Sequence, residues 1–236
     1  MFYVRKANQR GHANFGWLNS FHSFSFGQYY DPKHMGFSNL RVINDDTVTG
    51  GMGFGAHGHD NMEIISYVTQ GHIVHKDSMG NHFTIPAGDV QRMSAGTGIM
   101  HSEFNGSETD DLKFLQIWIQ PNARNVKPSY EQATIAQEGP LTALITPNGD
   151  GNSLAIHADA SLFRIQLPAS ETLKLNGHNA QGQKRSQYLH VVKGSLEVNG
   201  EVFTAGDGVG MVDEGEINLV AKHELEALWF DLPAIQ

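Results

Sequence analysis

The stretch "GFGAHGHDNMEIISYVTQG", residues 53–71, sets two histidines on either side of one glycine and then runs into apolar sequence. Alternate residues of a strand face the same side, about 6.6 Å apart along the chain, so His57 and His59 fit a strand with both imidazoles on one face. The segment that follows, "EIISYVTQG", is β-branched and aromatic and closes on a glycine. Runs of that kind, bounded by Gly, Pro, Asn or Asp, read as strands. The same texture recurs in "HFTIPAGD", "LKFLQIWIQP", "YLHVVKGSLEVNG" and "LEALWFDLP". Helical periodicity is weak throughout, and its best candidate is a short turn around "SYEQATIAQ" (129–137). An all-β sandwich or barrel is the expected fold.

A faint internal repeat runs through these strands. "YVTQGHIVH" (67–75) is similar to "HVVKGSLEV" (190–198), "FTIPAGDVQRM" (83–93) to "FTAGDGVGM" (203–211), and "FLQIWIQP" (114–121) to "ALWFDLP" (227–233). Three matches in the same order, roughly 110 to 125 residues apart, predict two β domains of one architecture. The Pro- and Asn-rich "PNARNVKPS" (121–129) is the expected connector.

Composition narrows the function. The 236 residues are 39% hydrophobic and 17% charged, the proportions of a globular protein with a real core. The formal net charge is −9 and no run of Lys and Arg appears, which argues against nucleic acid as a direct ligand. No apolar stretch approaches the roughly 20 residues that span a bilayer, so no membrane role is expected. The start, "MFYVRKANQRGHANFGW", carries no apolar signal-peptide core, and a cytoplasmic location is expected. With no cysteine, thiolate ligands and thiol catalysis are excluded, and any metal must be held by nitrogen and oxygen.

Thirteen histidines in a chain of this length supply about one His-x-His by chance, so the pair alone is weak. Geometry strengthens it. His101 and Glu103, in "GTGIMHSEFN", repeat the same spacing further along. Two strands facing one another across a barrel, each with such a pair, would offer three imidazoles and one carboxylate to a single ion. One or two coordination positions would stay open, which suits a catalytic divalent metal such as Fe(II), Mn, Ni, Cu or Zn. Glu63 is the rival carboxylate, but in an unbent strand it lies about 13 Å beyond His59.

These residues resemble a known family. Gly51 and "HGHDNME" look like the first cupin motif, with Gly71 one residue later than its usual closing position. Gly80, Pro86 and Gly88 resemble the opening of the second motif, yet Gln91 stands where a histidine is expected. The closing part reappears ten residues on as Gly98, His101 and Asn105. That displacement resembles the pirin family of two-cupin proteins. So do "FHSFSFGQYYDP" (21–32), "GFSNLRVINDD" (36–46), "AGTGIMHSE" (95–103) and "LQIWIQP" (115–121). The match covers most of residues 1–135; the second half is similar in layout only.

The resemblance implies two cupin barrels in tandem. Residues 1–121 would form a metal-binding cupin domain, 122–134 a linker, and 135–236 a cupin-like domain without a metal site. It also assigns the fourth ligand to Glu103, with Glu63 a neighbouring or structural acid. Among pirins the chain looks most like the bacterial proteins that cleave quercetin. The implied activity is therefore a flavonol dioxygenase acting on a small aromatic substrate and dioxygen, with release of carbon monoxide. Fe(II) is the expected ion, Glu103 the expected general base, and a monomer the expected state. The alternative is a redox-sensitive, metal-dependent regulatory protein with no dedicated catalytic role.

Other residues carry less. His75 and His82, around "KDSMGN", could approach the mouth of the pocket, but the expectation is that they are exposed hairpin residues. His22, in "SFHSFSF", is expected in a hydrogen-bonded core position. Phe24, Phe26, Trp118 and Met52 could line an apolar pocket, with core packing the expectation for each. His178, His190 and His223 have no His or acid two residues on, so no ligand set is expected in the second half.

Overall fold

Residues 2–179 and 182–235 are described by the computed structural model, which is built almost wholly of β-strands. The helical element among them is a single 3-10 turn, Ala7–Gln9. No helix among these residues is long and apolar enough to cross a membrane. The strands form four sheets, two of seven strands and two of four.

In the first barrel the large sheet runs, edge to edge, through Ser129–Thr134, Asp89–Ser94, Glu63–Gln70, Leu112–Ile119, Leu40–Val48, Leu18–His22 and Gly11–Asn14. The small sheet is Gly53–His59, Ile99–Asn105, His72–Asp77 and His82–Pro86. The second barrel repeats the plan. Its large sheet begins at Phe2–Arg5 and passes through Gly208–Val212, Arg185–Lys193, Leu225–Pro233, Ser161–Leu167 and Leu141–Thr146 to Leu154–Ala155. Its small sheet is Thr172–Asn176, Glu216–Ala221, Ser195–Val198 and Glu201–Thr204. The three pairs of similar segments in the sequence occupy equivalent strands of the two barrels.

Two edge strands cross the expected domain limits. Residues 2–5, at the start of the chain, pair with Gly208–Val212 of the second barrel. Residues 129–134, expected as linker with a helical turn, instead form a strand paired to Asp89–Ser94. An edge strand leaves a row of backbone donors and acceptors open, and pairing satisfies it more fully than one isolated helical turn does. Side chains fix the pairing: Arg92 meets Glu131 at 2.8 Å and Thr134 donates to Asp89 at 2.5 Å. The outermost residues of the two expected domains, 1 and 236, lie outside the described residues.

The strand period of two decides where each face goes. In the first large sheet, Ile43, Ile65, Leu115 and Ile117 turn away from their own barrel. They meet Leu144, Leu162, Leu228 and Phe230 of the second barrel in one continuous core. Each such side chain contributes on the order of 1.5–3 kcal/mol when fully buried, so the two large sheets are joined face to face by hydrophobic burial. The opposite faces line the barrels, and there the two halves differ. The second interior is apolar, built from Leu175, Leu189, Phe203, Met211, Ile217 and Leu219 among others. The first interior carries buried polar side chains at its centre, including Gln91, His101, Glu103 and Gln116.

Candidate metal centre

The centre lies on the small sheet of the first barrel. Gly53–His59 and Ile99–Asn105 are antiparallel neighbours, with His57 opposite His101 and His59 opposite Ile99. A bulge then places Gly55 and Ala56 against Ser102 alone and brings Glu103 opposite Phe54. Bulges re-aim side chains in this way. The glycine turn before Ile99 fixes where that strand starts. Gly96 has φ of 49°, and a Cβ there would meet the Val126 carbonyl oxygen at 2.0 Å.

Three imidazoles converge. His101 Nε2 is 3.0 Å from His59 Nε2 and 3.1 Å from His57 Nε2. That is the separation two nitrogens adopt when they share an ion at about 2.1 Å from each. His57 Nδ1 donates to the Gly55 carbonyl at 2.7 Å, which places its proton there and frees Nε2. Burial, reinforced by the neighbouring imidazoles, lowers His59 to about 4 and His101 to about 3. Both rings are therefore neutral near pH 7, the form that ligates metal. The donors fit a divalent ion that takes nitrogen and oxygen ligands.

Glu103 is buried beside them. Ser66 Oγ and the Gln91 amide donate to Oε1 at 3.2 and 3.3 Å, and the Gln116 amide donates to Oε2 at 3.3 Å. Its carboxylate forms a group with His101 and His75, their donor atoms lying within 4.8 Å of one another. A second such group holds His57, His59 and His101, so His101 is common to both.

Glu63 faces elsewhere. It sits opposite Ile119, on the same face as Ile65 and Tyr67, and so points out of the barrel toward the second one. There it accepts from Ser94 Oγ at 2.8 Å and from the His157 amide at 3.4 Å.

Several other expectations need correction. His75 is not an exposed hairpin residue: it is fully buried, bonded to Asp77 at 3.1 Å, with its ring 5.4 Å from that of His101. The pleat turns it inward opposite Glu103, whereas His82 is exposed as expected. Phe24 is core, but Phe26 and Trp118 line a cavity and Met52 is exposed. His22 is buried and bonded to Asn44 at 2.8 Å, and it also lines that cavity.

The cavity, about 940 Å³, opens over His57 and His59. It falls at the upper end of the usual range for small-molecule sites. Trp118 packs edge-on against both His59 and Phe26, with ring centroids 5.0 and 5.3 Å apart. Trp17 and Phe54 make a similar pair at 5.2 Å. The walls are thus flat and aromatic close to the imidazoles. The sequence offers Phe26 and Trp118 as pocket residues but favours core packing for both, because Trp118 reads as one more apolar residue of its strand; Trp17 and Phe54 carry no such signal.

A profile of the family described as Pirin matches residues 3–119. A second profile, described as the quercetinase C-terminal cupin domain, matches residues 143–232. A quercetin 2,3-dioxygenase of Escherichia coli K12 is 46% identical over 235 residues, with 100% of each chain covered. The crystal structure of YhhW from Escherichia coli superposes with a TM-score of 0.96 at 46% identity, covering 100% of this chain and 99% of that one. The nickel(II) complex of the bacterial pirin YhhW superposes with a TM-score of 0.94 at 46% identity, covering 100% of both chains.

Proposed function

The chain belongs to the pirin family, and from that premise we propose that it is a metal-dependent dioxygenase that opens the heterocycle of flavonols such as quercetin. One observation carries the reading: three imidazole nitrogens converge beside an aromatic-walled cavity, lined by His57 and His59, that is large enough for a multi-ring substrate. His57, His59, His101 and Glu103 would hold one divalent ion. Fe(II) suits this donor set, and the relative crystallised with nickel(II) supports a divalent occupant.

An ion held by these residues would supply Lewis-acid chemistry, lowering the pKa of a flavonol 3-hydroxyl and orienting its ring. The protein does the rest. Glu103 takes the hydroxyl proton on a carboxylate oxygen, and the Gln116, Gln91 and Ser66 donors hold that carboxylate in place. Trp118 and Phe26, packed edge to face on one wall of the cavity, offer the substrate an aromatic surface and keep water from the reacting carbons. Dioxygen adds both of its atoms, two ring bonds break, and carbon monoxide leaves with a phenolic carboxylic ester as the other product. All four side chains come from one chain, so the site is complete in a monomer.

Steady-state loss of the visible absorbance of quercetin tests the reading. Metal-loaded protein is expected to turn over at about 1 per second or faster. Stoichiometric binding without turnover would contradict the enzyme and fit a metal-dependent regulatory protein instead.

A further inference from the structure

Across the cavity from the small sheet, the large sheet of the first barrel presents a cluster of buried polar side chains. Ser20 and His22 on Leu18–His22 stand opposite Asp46 and Asn44 on Leu40–Val48. All four are at most 4% exposed, and all four line the cavity. They bond to one another: Ser20 Oγ donates to Asp46 Oδ1, and His22 Nδ1 pairs with Asn44 Oδ1 at 2.8 Å. The equivalent strands of the second barrel turn Leu141, Phe163, Ile165 and Leu167 inward instead.

Burying polar groups costs free energy unless each finds a partner. Here the pairing is incomplete. Among the described residues, Asp46 Oδ2, Asn44 Nδ2 and His22 Nε2 make no hydrogen bond. None of the three is a sealed, partnerless atom, because each residue borders the cavity. One carboxyl oxygen, one donor pair and one ring nitrogen are therefore left for whatever fills that space. The aromatic walls account for a planar ligand, and these atoms account for a hydroxylated one.

We propose that Asp46, Asn44 and His22 form a hydrogen-bonding wall that recognises hydroxyl groups on the part of a flavonol remote from the ion, and so selects polyhydroxylated substrates. The proposal rests on the dioxygenase reading for the identity of the substrate. A site built to pair a hydroxyl discriminates against an analogue that lacks it, since its own buried groups are then left unpaired.

The test compares quercetin with 3-hydroxyflavone, which keeps the hydroxyl and keto pair beside the ion and lacks every other hydroxyl. The ratio of kcat/KM for the two is expected to favour quercetin by about tenfold or more in the unaltered protein. Asp46→Ala and His22→Phe should each pull that ratio at least about fivefold toward unity, and Asp46→Asn and His22→Gln should keep it within about threefold. Should Asp46→Ala not fold, Asn44→Ala carries the same expectation. A ratio near unity in the unaltered protein, or variants that lower both substrates in proportion, would overturn the proposal. If neither compound is turned over, the dioxygenase reading fails by itself. The wall is then judged on the ratio of dissociation constants from tryptophan quenching, where the same pattern supports it and an unchanged ratio overturns it.

Discussion

Gln91 donates its side-chain amide to Glu103 Oε1 and to Ser66 Oγ, both at 3.3 Å. The residue that stands where the cupin pattern expects a histidine thus braces the carboxylate. Outer partners of this kind typically govern metal affinity or activity by 10- to 100-fold. Gln91→Leu is therefore expected to lower kcat or metal affinity by about tenfold or more while leaving the fold intact. Steady-state kinetics with metal analysis of the same sample checks it. Unchanged values would mean that Ser66 and Gln116 suffice.

Trp118 is expected to act in substrate binding. Its ring packs edge-on against Phe26 and His59 at the cavity wall, so Trp118→Ala removes a flat surface that the aromatic substrate uses in both ground and transition states. Loss of such uniform binding raises KM more than it lowers kcat. A KM for quercetin about tenfold higher, with kcat within about threefold, is the expected result. A fall in kcat at constant KM would contradict it.

Metal binding is expected to couple to stability, because the proposed donors come together only in the folded chain. Removing metal with a chelator should lower Tm. Returning nickel(II) at a hundredfold excess over its Kd adds about 2.7 kcal/mol, or roughly 5–10 °C for a chain of this size. Differential scanning calorimetry with and without the metal reads this directly, and an unmoved Tm would contradict it.

The Asp46 carboxyl gives a signed pH dependence. Burial pushes it up to about 7, with the Ser20 hydrogen bond opposing the shift. Between about pH 4 and 7 the folded chain holds a proton there that the unfolded chain has released, so this group's contribution is present at low pH and lost as pH rises. In chelated protein, Asp46→Asn should gain on the unaltered chain by several °C in Tm between pH 5 and 8. A difference that stays flat across that range would show Asp46 already ionised in the fold.

Period-two spacing made much of this legible. His57 with His59, and His101 with Glu103, share a face by local geometry alone, and the strand texture fixed the all-β class. What depends on which strand pairs with which was not legible. His75 reaches the centre only because His72–Asp77 lies beside Ile99–Asn105. The wall of Ser20, His22, Asn44 and Asp46 exists only because two distant segments pair in one register. Glu63 shows the same physics in reverse: pleat parity on its strand turns it toward the second barrel. Residues 129–134 lack a strong strand signal of their own and are recruited by an open sheet edge.

The central claim is that His57, His59, His101 and Glu103 jointly hold one ion. Metal analysis of protein purified without an immobilised-metal column, set beside the same analysis of His101→Ala, tests it most directly, since His101 is common to both groups of donors. About one divalent ion per chain in the unaltered protein and less than a tenth of that in the variant is the predicted result. Equal metal content in the two proteins would contradict the account.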